Sequence, residues 1–363
     1  MQDGVESQRQ YQPQFNTLRF IAVFLVLVDH ICYRIPNFPL PDFFQLGATG
    51  VRFFLVLSGY FITLSLLKIR RKIDSGEMGL GAGFRLFYGR RAVRIFPAFF
   101  CLFGLGIILG FESFTKYWVW ILTFTVNFLI ATQDYWPGQI SHLWSICVQE
   151  QFYLIWPLLI FLFRGRLLLA LTLGFILGAI VYRATMIIIE APLAWRWVFP
   201  LNCFDSLGCG ALVALYKVPL TQWIKAWSRW KNCVAFLLCL AALTAAAFLR
   251  KGDQYSLWII WVEPLESIAL SLLVIKTAVG FTGVVGIALG SSFLNYLGSI
   301  SYGTYIYHFM VINACDRWMP LSLRWLIEWP WARLITCVLL SITVAIVSWR
   351  FLEQPIYRFF FKE

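Results

Sequence analysis

Arg19-Phe20-Ile21-Ala22-Val23-Phe24-Leu25-Val26-Leu27-Val28-Asp29-His30 is an apolar run with an arginine at its start and an Asp-His pair at its end. It lies in an apolar segment of about 18–35, long enough to cross a bilayer as a helix. Ionisable groups inside such a span cost about 3 kcal/mol or more each and by default mark a working site. Arg19 and His30 are eleven residues apart. At 100° per residue that is about 20° beyond three full turns, so both side chains share one face, roughly 16 Å apart along the axis. The stretch predicts a membrane helix with a fixed cation near one water boundary and a titratable base near mid-membrane.

Composition extends this reading to the whole chain. Of 363 residues 60% are hydrophobic and 13% charged, about half the charged share of a soluble domain. Aromatics make up 18%, with 17 Trp, as interfacial belts require. The formal charge of +12 sits in short clusters between apolar spans, the positive-inside pattern, which excludes nucleic acid as the expected partner. The nine cysteines form no Cys-x-x-Cys pair and most fall in apolar segments, so neither a disulfide framework nor a metal site is expected. The first sixteen residues are polar and carry no cleavage pattern, so the first apolar run is expected to be retained.

Segments able or nearly able to span occur at about 18–35, 46–67, 93–110, 117–131, 143–163, 167–189, 201–216, 232–249, 257–277, 293–314 and 331–351. The basic 68–94 connection, Arg164 and Arg166, the Lys217–Lys231 cluster and the Arg358/Lys362 tail all belong on the cytoplasmic side by the positive-inside rule. They agree only if 93–163 crosses an even number of times. The expectation is therefore an all-α, polytopic integral membrane helical bundle of about ten transmembrane helices, with 117–131 a short re-entrant or incomplete span. It forms one domain, 1–363, with a polar N-terminus at 1–16, a short tail at 352–363 and both termini cytoplasmic.

All three histidines, His30, His142 and His308, lie among polar neighbours in apolar segments. Any one of them reads equally well as an interhelical hydrogen-bonder, but together they point to one shared polar cavity. Arg90, Arg91 and Arg94 are spaced i, i+3 and i, i+4 and share a helix face. That arrangement serves either topology and snorkelling or a bidentate fork for phosphate. The run His142-Leu-Trp144-Ser145 to Gln149-Glu150 and Tyr153 is too polar for helix-dipole pairing alone, and Glu150 is the carboxylate best suited to orient or charge a histidine. Ser301, Tyr305 and His308 fall on one face, with Tyr302 beside them, either as an aromatic belt or as a stacking platform for a sugar or base.

These motifs resemble the membrane-bound acyltransferase type 3 family, multi-span enzymes that O-acylate cell-surface glycans. Arg19 with His30 resembles its Arg-x10-His element, and Gly50-Val-Arg-Phe-Phe-Leu-Val-Leu-Ser58-Gly-Tyr its "FFVLSGF" span. Arg91-x-x-Arg94-Ile-Phe-Pro97 resembles its Arg-x-x-Arg and proline element. His142 to Leu154 resembles "HLWSLSVEEQFYL", Ser301 to His308 "SYGLYLWH", and Phe351 to Pro355 the terminal "IEKP". The six motifs run in order over about 16–357. Three positions differ: Asn16 stands where the family has an acid, Gln149 where it has the first glutamate of its pair, and Arg52 where it commonly has Asp.

The resemblance implies a bacterial inner-membrane enzyme that moves an acyl group, in the simplest case acetyl, from cytoplasmic acyl-CoA to a hydroxyl of a carbohydrate or glycolipid. Acyl-CoA would be a substrate, with no bound cofactor and no metal. The transferable set is Arg19, His30, Arg91, Arg94 and Glu150, with Arg19, His30 and Glu150 the catalytic residues among them. Donor and substrate contacts would come from Ser58, Arg90, Arg91, Arg94, His142, Trp144, Ser145, Tyr153, Ser301, Tyr302, Tyr305 and His308. His30 would act as general base or transient acyl carrier. The competing reading is a proton-coupled transporter or flippase without covalent chemistry, for which intramembrane His, Glu and Arg are equally expected. A purely structural or sensory membrane protein leaves the polar clusters unexplained.

Overall fold

The computed structural model describes residues 12–35, 38, 46–251 and 257–361, so residues 1–11 of the polar N-terminal segment, and Lys362, lie outside the described residues. The described chain is helical: α1 (Gln14–Cys32), α2 (Leu46–Asp74), α3 (Leu80–Ile108), α4 (Glu112–Lys116), α5 (Trp118–Leu122), α6 (Val126–Gln133), α7 (Leu143–Leu162), α8 (Gly165–Ile188), α9 (Leu193–Val198) and α10 (Pro200–Leu215). There follow α11 (Lys217–Lys225), α12 (Arg229–Lys251), α13 (Ile259–Val279), α14 (Gly283–Leu289), α15 (Ser292–Ser299), α16 (Ser301–Trp318), α17 (Trp325–Glu328), α18 (Pro330–Ser348) and α19 (Gln354–Phe361). A π-helical turn at Trp349–Glu353 joins the last two.

Among the described residues, seven helices are long and apolar enough to cross a membrane, or eight if the bent pair α13–α14 counts as one. The expected ten crossings would also need α12 and α16, which fall outside that set. α16 is 18 residues long but carries His308, Asn313, Asp316 and Arg317. The 117–131 segment is not a continuous helix: α5 and α6 are separated at Phe124, whose φ is 54°. It is thus the incomplete span that loop charge implied. A second break lies where the sequence reading placed none. α13 and α14 meet at 92°, across Gly280 (φ 99°) and Gly283 (φ 64°), a backbone that glycine adopts without a Cβ penalty.

Two local expectations are corrected. The basic 68–94 connection is mostly helix, because α2 runs on to Asp74 and α3 begins at Leu80. His30 stands in the last turn of α1, nearer the far end of the helix than its middle.

Contacts at the helix ends agree with an even number of crossings in 93–163. Arg70 of α2 donates to the carbonyls of Ile160 and Phe163 at the end of α7, both at 2.7 Å, satisfying acceptors that a helix terminus leaves open. Arg164 pairs with Asp74 beside them. The C-termini of α2 and α7 therefore lie at one end of the bundle. At the C-terminal ends of α1 and α16, Asp316 pairs with Arg34 at 3.4 Å and with Arg333 at 2.6 Å.

α2 is the axis of the bundle, packed by α1, α3, α7, α10 and α13. Its approach to α10 is the closest of these. A Cβ on Gly59 would lie 2.0 Å from the Leu207 carbonyl oxygen, and one on Gly210 would lie 2.0 Å from that of Val56. Small residues permit such backbone contact between membrane helices. Gly59→Ala should therefore destabilise the fold by about 1–3 kcal/mol, the usual cost of overpacking. An unchanged melting temperature in detergent would show that the two helices are free to separate.

Candidate active site

The helix ends beside the basic segments enclose a cavity of about 900 Å³. α1 contributes Arg19, α2 Ser58 and Lys68, α3 Arg90, Arg91 and Arg94, and α11 Lys217 and Lys225. α7 contributes Ser145, Gln149, Glu150 and Tyr153, and α16 contributes Ser301, Tyr302 and Tyr305. Seven basic side chains thus face one carboxylate, Glu150, among the lining residues. A low-dielectric cleft with that imbalance focuses its field on a multiply charged anion.

Arg19 and Arg91 are each held by specific contacts. Arg19 Nη1 donates to Asn16 Oδ1 at 3.0 Å, and its guanidinium lies 4.3 Å from the centre of the Phe61 ring. Asn16 thus positions Arg19 through a neutral side chain. The Arg91 guanidinium sits 5.8 Å from the Tyr153 ring centre, and its buried Nε has no hydrogen-bond partner in the described structure. Gln149 Oε1 accepts from Ser58 at 3.2 Å and from Tyr153 at 3.3 Å, so the amide organises the wall between α2 and α7.

The three histidines come together, as their shared polar surroundings implied. Ring centres of His30 and His308 are 5.1 Å apart, and those of His142 and His308 4.9 Å. His308 Nδ1 is 2.5 Å from the Tyr305 carbonyl oxygen, which only accepts, so Nδ1 carries the proton. In neutral His308 the lone pair is then on Nε2, which lies 2.8 Å from His30 Nδ1. His30 must donate there, which leaves its own Nε2 with a lone pair. His142 Nε2 donates to the Ile306 carbonyl at 2.9 Å.

His30's partner is therefore His308 and not Glu150, which lines the basic cavity and interacts with Arg91. Both stand among other polar residues in otherwise apolar helices, and the chain order gave no way to choose between them. His142 and His308 are buried and line neither cavity described here. They stand behind His30, which is half-buried.

His30 faces a second, smaller cavity of about 160 Å³, shared with Asp29, Val51, Arg52, Glu263 and Tyr305 and walled by Trp136, Trp144 and Trp197. Trp144 belongs here rather than with the basic cavity. Along one side of this chamber runs an ion-pair network that the sequence reading did not assemble. Arg52 Nη1 is 3.1 Å from Asp205 and its Nε 3.7 Å from Glu266, and it also pairs with Glu263. Arg183 reaches Asp205 at 2.9 Å and Glu263 at 2.7 Å. The available signal was the presence of Arg183, Asp205, Glu263 and Glu266 within otherwise apolar spans, each expensive alone. Arg52 had been noted only as a departure, and its excess of acidic partners accounts for a cation at that position.

A family model described as "Acyltransferase domain" matches residues 12–350. Among curated proteins the chain is 25% identical to the peptidoglycan O-acetyltransferase OatA of Listeria monocytogenes, over 96% of this chain and 56% of that protein. It is 23% identical to the putative peptidoglycan O-acetyltransferase YrhL of Bacillus subtilis, over 96% and 55%. It is 25% identical to the O-acetyltransferase OatA of Staphylococcus aureus, over 97% and 58%. The chain thus spans a little over half the length of these relatives. No solved structure matches.

Proposed function

The chain belongs to this acyltransferase family, and from that premise we propose that it transfers an acyl group, acetyl in the simplest case, from acyl-CoA to a hydroxyl of a cell-wall or cell-surface glycan. The observation that carries the reading is the placement of His30, whose Nδ1 lies 2.8 Å from His308 Nε2. His30 lines a small cavity that adjoins a basic chamber able to take a multiply phosphorylated donor.

In the proposed step His30 Nε2 takes the proton of the acceptor hydroxyl as general base. The acceptor oxygen attacks the thioester carbonyl carbon, the C–S bond breaks, and the departing CoA thiolate recovers a proton from the imidazolium. The His308 Nε2 acceptor and the Tyr305 carbonyl hold His30 in the tautomer this requires. Arg19, Arg91 and Arg94, with Lys68, Lys217 and Lys225, hold the donor's phosphates. The gathering of basic residues at one cavity, the end that the positive-inside rule assigns to the cytoplasm, and His30 toward the opposite end of α1 support a donor that enters from the cytoplasm. The relatives named as peptidoglycan O-acetyltransferases support a cell-wall glycan as acceptor.

The test is direct. Purified protein in detergent, given labelled acetyl-CoA and soluble muropeptides, should form an O-acetyl ester with no ion gradient present, an outcome a transporter would not give. Arg91→Gln should raise KM for acetyl-CoA by about tenfold or more, as loss of one charge-assisted contact implies. The effect should shrink at high salt, and an unchanged KM would remove Arg91 from the donor site.

A further inference from the structure

The basic cavity and the histidine cavity have two lining residues in common, Val51 of α2 and Tyr305 of α16. If the donor's phosphates lie among the cations and His30 is the base, the reacting acyl carbonyl must sit where the two spaces meet. This inference rests on the function proposed above.

Both sides of that meeting point are stiff. The Tyr305 hydroxyl donates to the His142 carbonyl at 2.9 Å and is 2.6 Å from Ser145 Oγ. The backbone carbonyl of Tyr305 is held by His308 Nδ1, so neither its ring nor its main chain is free to swing aside. Val51 is β-branched and restricted to essentially one rotamer in a helix. Its helix cannot shift easily, because a Cβ on the neighbouring Gly50 would already lie 2.5 Å from the Ala22 carbonyl oxygen of α1. Beyond the pair the histidine cavity offers about 160 Å³, which the acceptor hydroxyl must also enter.

We propose that the Val51–Tyr305 pair is the acyl-length gauge of this protein, admitting a two-carbon acyl group to His30 and holding back longer chains. A rigid partition rejects an added methylene through steric overlap, whereas a deformable one would simply yield. Because Tyr305 is tied at both ends, Val51 sets the size limit and Tyr305 supplies the fixed wall against which it acts.

The experiment compares acetyl-, propionyl-, butyryl- and hexanoyl-CoA, with soluble muropeptides as acceptor, in the wild-type chain and in Val51→Ala and Val51→Ile. Ester formation and CoA thiol release are read together as kcat/KM for each donor. The wild-type chain should fall steeply from acetyl to butyryl. Val51→Ala should raise the butyryl-to-acetyl ratio by about tenfold, the scale on which a pocket distinguishes a methylene. Val51→Ile should lower the propionyl-to-acetyl ratio. The ratio is the informative readout, because a merely structural effect lowers all donors together. Parallel profiles in all three proteins, or a wild-type chain that uses hexanoyl-CoA as well as acetyl-CoA, would overturn the gauge while leaving acyl transfer standing. If the wild-type chain forms no ester with any donor, the acyltransferase reading itself fails and the gauge falls with it.

Discussion

Replacing His30 by glutamine should lower acyl transfer by a factor of about 10²–10⁴, the usual contribution of a positioned general base. The folded protein and its affinity for acyl-CoA should be left largely intact. Glutamine sets its amide near the position of the imidazole Nε2, filling that space without a basic lone pair, while the 2.8 Å contact from Nδ1 to His308 is given up. His308→Phe provides the companion result. The ring volume is kept, but the acceptor that fixes the His30 tautomer is gone, so kcat should fall while KM for acyl-CoA stays near its wild-type value. The split is expected because His308 lines neither cavity. Nitrogen NMR of labelled histidine should find His30 protonated at Nδ1 in the wild-type protein and a mixture of tautomers in the variant. Near-normal activity in His30→Gln would remove this residue from the chemistry, whatever the fate of the rest of the site.

The second large effect is on stability. Asp205 is fully buried and spends both carboxylate oxygens on guanidiniums, Oδ1 on Arg52 at 3.1 Å and Oδ2 on Arg183 at 2.9 Å. Oδ1 also accepts from the Ser206 amide at 2.7 Å. Asp205→Ala would leave two buried cations to share Glu263 and Glu266. Breaking such a cluster from one side costs about 3–5 kcal/mol, because the guanidinium N–H groups that Asp205 paired are left without that partner where water cannot reach them. Thermal unfolding in detergent should show a large drop. By contrast, Arg324→Ala should change stability by no more than about 1 kcal/mol, since its i, i+4 pair with Glu328 is 57% and 64% exposed. Equal melting temperatures for the two variants would mean that the Asp205 cluster is solvated and not structural.

Much of the site was legible because its parts are local. The Arg90/Arg91/Arg94 face follows from helical spacing alone, and all three side chains reach the basic cavity. Ser301 and Tyr305, four residues apart, likewise reach the same wall. Three histidines in an otherwise apolar chain had few ways to be satisfied, and they do cluster. What could not be read was which polar group meets which across helices. Glu150 and His308 were equally available to His30 in chain order, and only the packing of α16 against α1 separates them. The Arg52–Asp205–Glu263–Arg183 network joins residues from four helices, and no spacing along one helix encodes such a set.

The sequence by itself determined the class of molecule: apolar segments of spanning length, basic connections at one end, and motifs whose polar residues have no place in a bilayer unless they are used. Those properties depend on composition and on the 3.6-residue period, both of which are written along the chain. Only the tertiary structure decided that the basic chamber and the histidine chamber are separate spaces meeting at Val51 and Tyr305. It alone decided that His308 and the Tyr305 carbonyl select the tautomer of His30. It also added a second sharp break in the bundle, at Gly280 and Gly283. The physical reason is the same in each case. In an apolar medium every buried polar group must find a partner, and which partner it finds is set by how whole helices pack.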